Sequence, residues 1–343
     1  MAIKKRKKEH LQIIQKFNTA SNLSAGFDDV ILMPKSLPED TIDNIDTGCS
    51  FLGKKLGAPI LISSMTGGTE EACEINAMFA RVANKYNIAL SVGSQKAMIK
   101  FPSLSYTYEI RKYAPDILLI GNIGIDYLLS NDYNIDKLKE AIKKIGADAV
   151  FIHINPLQEL VQLEGAKDFR GAISKISEVC HNLKIPVLIK EVGYGIDPNT
   201  AKKLKNAGVY AIDVAGSGGT SWATVEGYRG ARSGETFRDW GIPTVLDLLA
   251  LKKVVKLPLI SSGGLKTGAD AAKSIVVGAE LAGFAKKLLD GAMTGEVHLD
   301  WEVNKIISEL KTTMLLVGAK NVKHLQNTKY LLKGDLKVLR DQL

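Results

Sequence analysis

The chain has 343 residues, 45% hydrophobic and 6% aromatic, with a net charge of +8. That is a globular composition, and three widely spaced cysteines without a C-x-x-C pair argue against a disulfide framework or a structural zinc site and suit a reducing cytoplasm. No run approaches the roughly 18 consecutive apolar residues of a membrane span. The basic run Lys4-Lys5-Arg6-Lys7-Lys8 does not lead into the apolar core of a signal peptide.

Along the chain, Leu11, Ile13, Ile14 and Phe17 have the spacing of a short amphipathic helix. Residues up to about Gly57 show no clean period and read as loops and short strands. From Pro59 a rhythm starts: apolar runs at 59–62, 88–92, 117–120, 149–152, 186–189, 211–215, 257–260 and 280–284. Helical patterns lie between them, at 72–86, 135–145, 169–183, 199–206, 244–255 and 268–277. Continuous rather than alternating apolar runs mark strands buried on both faces, hence a parallel sheet with helical crossovers. Eight such units predict an α/β fold, a (β/α)8 TIM barrel over 58–343, rather than an open doubly wound sheet. Residues 1–57 form an N-terminal extension, and a helix over 301–317 gives a C-terminal helical segment. The connection 221–242, rich in Gly, Arg and Ser, is expected to be a long functional loop.

Barrel enzymes carry their chemistry at the C-terminal ends of the strands. Strand four ends in His153-Ile154-Asn155-Pro156-Leu157-Gln158-Glu159, where Pro156 stops the ladder and metal-binding and proton-handling groups arrive together. Strands six and seven end in Gly216-Ser217-Gly218-Gly219-Thr220 and Ser261-Ser262-Gly263-Gly264-Leu265. Such turns let backbone N–H groups approach a phosphate. Lys190, at the end of strand five, needs an anionic partner: a bound ligand, Glu191 or Asp213. Neither G-x-G-x-x-G after a first strand nor a P-loop is present.

Taken with Arg6-Lys7 and His10, Ser63-Ser64-Met65-Thr66-Gly67-Gly68, Ser94-Gln95, Gly121-Asn122, Lys190-Glu191-Val192-Gly193 and Thr220-Ser221-Trp222, the chain resembles the type 2, FMN-dependent isopentenyl-diphosphate isomerases. The resemblance implies an allylic proton shift between isopentenyl and dimethylallyl diphosphate, with reduced FMN, Mg2+, and NADPH or NADH to reduce the flavin. It implies FMN binding by Ser64, Met65, Thr66, Gly67, Ser94, Asn122, Lys190, Ser217, Thr220, Gly263, Gly264, Leu265, Ala282 and Gly283. Substrate contacts fall to Arg6, Lys7, His10, Ser94, Gln95, Lys96, Asn155 and Gln158, with Glu159 on Mg2+. The reaction falls to Gln158, His153 and Trp222. Lys96 stands where the family has arginine, keeping the charge but losing the bidentate fork. A homotetramer or homo-octamer follows by the same analogy, with the basic lead of one subunit reaching a neighbour's site. The alternative is a redox FMN barrel of the 2-hydroxy acid oxidase type. The third candidate, a nucleic-acid binder, has no interleaved aromatics to support it, and a membrane role has no span.

Overall fold

The expected strands form, and all eight pair in parallel. In this computed structural model, which describes residues 2–342, the barrel strands are Ile60–Ile62, Ala89–Ser91, Leu119–Gly124, Ala149–His153, Val187–Lys190, Ala211–Asp213, Leu259–Ser261 and Leu281–Phe284. Strand eight closes on strand one through Ala282↔Ile60 and Gly283↔Leu61. Period-two alternation divides the apolar residues into two layers. Leu61, Ile120, Phe151, Leu188, Ile260 and Leu281 fill the barrel interior, joined by Phe51 and Leu56 of the hairpin Cys49–Phe51/Lys54–Leu56. Ile60, Ile62, Leu90, Ile152 and Ile189 join the larger cluster that includes Ile75, Phe79, Leu138, Val245 and Ile275 of the helices.

Local chemistry sets the helix ends. The Thr69 hydroxyl accepts from Ala72 N at the start of Glu70–Tyr86, and Asn134 caps Ile135–Ile145, which Gly146 stops in a left-handed turn. Thr267 and Asp270 form a reciprocal capping box on Gly268–Val277.

Several expectations are corrected. The N-terminal helix is longer than its apolar spacing suggests, Ala2–Lys16, and takes in the basic run. The connection 221–242 is not all loop. Ser221 caps a helix, Trp222–Tyr228, whose burial of Ala223, Thr224, Val225 and Glu226 offsets its shortness. The C-terminal helix starts at Glu296, after Gly295. A strand absent from the sequence reading, Tyr330–Leu332, pairs antiparallel with Val30–Leu32 and ties the C-terminal region to the extension.

Candidate active site

The N-terminal helix lies across the C-terminal mouth of the barrel and roofs a cavity of about 880 Å³. It is held there by the Leu11, Ile13 and Ile14 face and by polar anchors at its tip. Lys7 Nζ donates to Gly67 O at 2.7 Å, Ser94 O at 3.0 Å and the Tyr108 hydroxyl at 2.9 Å. Burial of this amine, with Arg6 beside it, pushes its pKa down to about 7. His10 Nε2 donates to Glu226 Oε1 at 2.8 Å, and its ring meets Trp222 edge-on with centroids 5.2 Å apart. Burial lowers the pKa of His10 even though Glu226 opposes it.

Below the helix the strand ends supply a polar wall. Lys96 Nζ is 2.5 Å from Asp126 Oδ2. His153 Nδ1 donates to Asn122 Oδ1 at 2.9 Å, fixing the tautomer, and burial takes its pKa down to about 4 despite Asp126. Pro156, unable to extend the ladder, instead occupies the first turn of a helix, Pro156–Val161, which turns Gln158 and Glu159 inward. Asn155 Nδ2 donates to Gln158 Oε1 at 3.2 Å and Glu159 Oε1 at 3.1 Å, and Ala166 N donates to Glu159 Oε2 at 2.8 Å. Burial, then Asp126, raises the Glu159 pKa.

Glu226 is the hub of this wall and is buried. It accepts from His10, from Gln158 Nε2 at 3.4 Å and from Arg229 Nη1 at 2.5 Å. With its amide turned to satisfy both neighbours, Gln162 donates to Glu226 at 3.2 Å and accepts from Arg6 Nη1 at 2.8 Å. Burial alone would raise the Glu226 pKa, but the His10 and Arg229 contacts bring it below the usual carboxylate value. Arg229 also reaches Glu9 at 3.1 Å and Glu164 at 2.8 Å, tying the N-terminal helix to the strand-four and strand-six segments.

Across the cavity lies a glycine cradle. Gly218, Gly263 and Gly264 have φ of +114°, +98° and +81°. A Cβ on Gly263 would overlap Gly216 O, and one on Gly219 would come within 2.7 Å of Gly264 N. The segment before the cradle is pinned by Ser21 N donating to Gly219 O at 2.8 Å and Ser221 N to Thr19 O at 2.8 Å. Lys190 lines the cavity beside this cradle, 3.4 Å from Asp213 Oδ2. Backbone bare of Cβ atoms, a capped helix N-terminus after strand seven and a lysine facing in together fit a phosphorylated ring cofactor such as FMN. Among the described residues, no group of three or more His, Cys, Asp or Glu side chains is arranged to hold a metal ion. A cation here would rest on Glu159 and on oxygens of a ligand, as Mg2+ tolerates.

The structure brings together on this cavity Arg6, Lys7, His10, Ser64, Met65, Thr66, Ser94, Lys96, Asn122, His153, Asn155, Gln158, Glu159, Lys190, Thr220, Trp222, Gly263, Gly264, Leu265 and Gly283. Four expected residues stand off it. Gln95 is fully buried, its amide bonded to Ala141 O at 3.0 Å and Asn122 N at 3.1 Å, so it braces strand three from behind the cavity lining. Gly67 faces Tyr108, Ser217 is buried against Ile242 and Thr244 behind the cradle, and Ala282 alternates into the strand–helix layer while Gly283 faces inward. In this single chain the basic lead covers the mouth of its own barrel. Asp126, Gln162, Glu226 and Arg229 were not anticipated. Their only sequence signal is polarity on short helical segments. Of the three loop arginines that a 2-hydroxy acid oxidase could use as a carboxylate clamp, Arg229 and Arg238 are paired with glutamates, and Arg232 is exposed and does not line the cavity.

Known proteins agree with this arrangement. The family model for FMN-dependent dehydrogenases matches residues 155–332. Isopentenyl-diphosphate delta-isomerases of Synechococcus sp. and Rickettsia rickettsii are 43% and 44% identical, covering 90% and 93% of this chain and 91% and 95% of theirs. That of Nostoc sp. is 46% identical over 85% of both chains. In fold, a lactate oxidase structure from Pediococcus acidilactici matches with a TM-score of 0.72 at 17% identity, over 96% of this chain and 94% of that one. A mandelate oxidase variant matches at 0.67 and 13%, over 92% and 94%. At these identities the oxidases share the fold alone, whereas the isomerase sequences are 43–46% identical over 85–93% of this chain. The chain belongs to the isopentenyl-diphosphate delta-isomerase family.

Proposed function

We propose that this protein interconverts isopentenyl and dimethylallyl diphosphate by an allylic 1,3-proton shift, in cytoplasmic isoprenoid biosynthesis. The observation that carries this is the meeting of Arg6, Lys7 and Lys96 with a glutamine–carboxylate wall and a glycine cradle in one cavity. The reaction moves one C=C bond, adding a proton at one end of the three-carbon unit and removing one from the other, so no net oxidation occurs. FMN, reduced by NADPH or NADH, would lie along Met65, Thr66, Asn122, Lys190, Thr220, Gly263 and Gly264, supplying an acid/base group and an electron-rich face.

The side chains divide the remaining work. Arg6, Lys7 and Lys96 offer positive charge to the diphosphate. Glu159, buried at the cavity with Asp126 nearby, would hold Mg2+ together with diphosphate oxygens, the cation offsetting the burial and then the repulsion that raise its pKa. Asn155 aligns Gln158 and Glu159, and Glu226 sets His10 and Gln158. His153, neutral above about pH 4, orients by hydrogen bonding rather than by charge. Trp222 screens an apolar substrate portion from water. Assembly as a homotetramer or homo-octamer belongs to the same proposal and is read by light scattering.

The test is an anaerobic assay of the FMN-loaded protein with Mg2+, isopentenyl diphosphate and NADPH, following dimethylallyl diphosphate. Turnover is expected only with reduced flavin. No product from protein holding stoichiometric FMN would sink the assignment. Glu159→Gln should raise the Mg2+ concentration needed for half-maximal rate.

A further inference from the structure

Adjacent strands carry a buried polar triad at the cradle end of the cavity. Lys190, on strand five, stands in register with Asp213 on strand six, and Asp213 pairs in turn with Ile260 on strand seven, two residues before Ser262. The Asp213 side chain is wholly buried, whereas that of Lys190 is 10% exposed and lines the cavity. Asp213 Oδ1 accepts from the Ser262 hydroxyl at 2.7 Å and from Ala215 N at 3.2 Å. Its Oδ2 faces Lys190 Nζ at 3.4 Å and accepts no hydrogen bond. Lys190 Nζ also donates to Glu191 O at 3.0 Å and lies 3.4 Å from Ser262 Oγ. A carboxylate with one oxygen fully held and the other aimed at a cavity lysine has a fixed position and a fixed electrostatic effect.

We propose that Asp213 is a positioning residue that, through Lys190 and Ser262, sets the electrostatic potential felt by the flavin. The proposal rests on FMN occupying this cavity. Asp213 holds the lysine against the strand ends and partly cancels its charge, so the pair tunes how readily the bound flavin accepts electrons. Other titratable neighbours are His153, in register with Lys190 on strand four, and Glu191, next along strand five. Both remain in every variant below and cancel in the comparison.

The measurement is the two-electron midpoint potential of FMN in the holoenzyme, by equilibration with reference dyes. Asp213→Asn keeps the shape and makes the site more positive, so the potential should rise. The expected shift is about tenfold in the oxidised-to-reduced ratio, the scale of one unit charge acting through a protein interior of effective dielectric about 20. Lys190→Met should lower it, and Asp213→Asn should raise the potential less in the Lys190→Met background than in wild type, because Asp213 acts through the lysine. Should Asp213→Asn fail to fold, Ser262→Ala serves: losing the hydroxyl dipole on Oδ1 should lower the potential. An unchanged potential in folded, FMN-loaded Asp213→Asn or Ser262→Ala protein overturns the proposal, as does strict additivity with Lys190→Met. Wild-type isomerase activity alongside such a result leaves the function intact. Failure of the wild-type protein to bind FMN takes both down.

Discussion

Lys7 shows how a single side chain can be committed before the ligand arrives. Its amine donates to two backbone carbonyls and a tyrosine hydroxyl and has a pKa of about 7. An incoming diphosphate favours the charged form, so above pH 7 binding should take up a proton. Calorimetry at pH 8 in buffers of different ionisation enthalpy should read close to one proton per site, and Lys7→Gln should abolish it. KM should climb from pH 7 towards 9 by up to about tenfold per unit, the limit for one linked proton. Glu226 tests the wall opposite. Glu226→Gln keeps the shape but weakens the grip on His10 and Arg229, and a buried charged hydrogen bond of this kind contributes about 1.5–3 kcal/mol. A fall in kcat/KM of about tenfold to a hundredfold is expected, with FMN affinity unchanged. At this scale the sequence was informative where chemistry is contiguous, as from His153 to Glu159. It was silent where partners are remote, as for Glu226, 68 residues from Gln158.

Two elements shape the cavity. The N-terminal helix contributes Arg6, Lys7 and His10, yet its apolar anchors begin at Leu11. Deleting residues 1–10 should therefore spare the barrel and its flavin while turnover falls by about a hundredfold or more, the usual scale for a lost positioning contact. Retained activity in the truncated protein would remove the helix from the site. The cradle makes the opposite prediction. Gly263→Ala places a Cβ against Gly216 O at φ +98°, where an L-residue is strained by roughly 1–3 kcal/mol. FMN affinity should drop first, read by flavin fluorescence, with a lower melting temperature. The glycines were legible as a cradle because tight approach leaves a compositional mark. The helix Trp222–Tyr228 was not, because seven residues carry too little periodicity to stand out from loop.

The whole molecule carries buried ionisable groups whose stability effects oppose one another. Glu191 accepts N–H groups from Val192, Gly193 and Tyr194, but burial dominates and its pKa rises from 4.5 to about 7. Between those values the folded protein binds a proton that the unfolded chain releases, so stability falls as pH rises through that window. His153 acts the other way between about 4 and 6.5, and Lys7 does so between about 7 and 10.5. The melting temperature of wild type relative to Glu191→Gln should decline from pH 4.5 to 7 by scanning calorimetry. A difference that does not vary with pH would remove Glu191 from this account.

The sequence by itself determined the eight strands, their parallel pairing and the ends at which chemistry collects. Strand burial is written in runs of adjacent residues, and parallel crossovers require the helices between them. It also identified the cradle and the His153–Glu159 stretch through local composition. Only the tertiary structure decided that the basic lead folds over its own barrel, that Gln95 turns away from the cavity, and that Glu226 and Arg229 join three segments. Those outcomes depend on contacts between residues tens to hundreds of positions apart, which barrel closure creates and which leave no period in the chain.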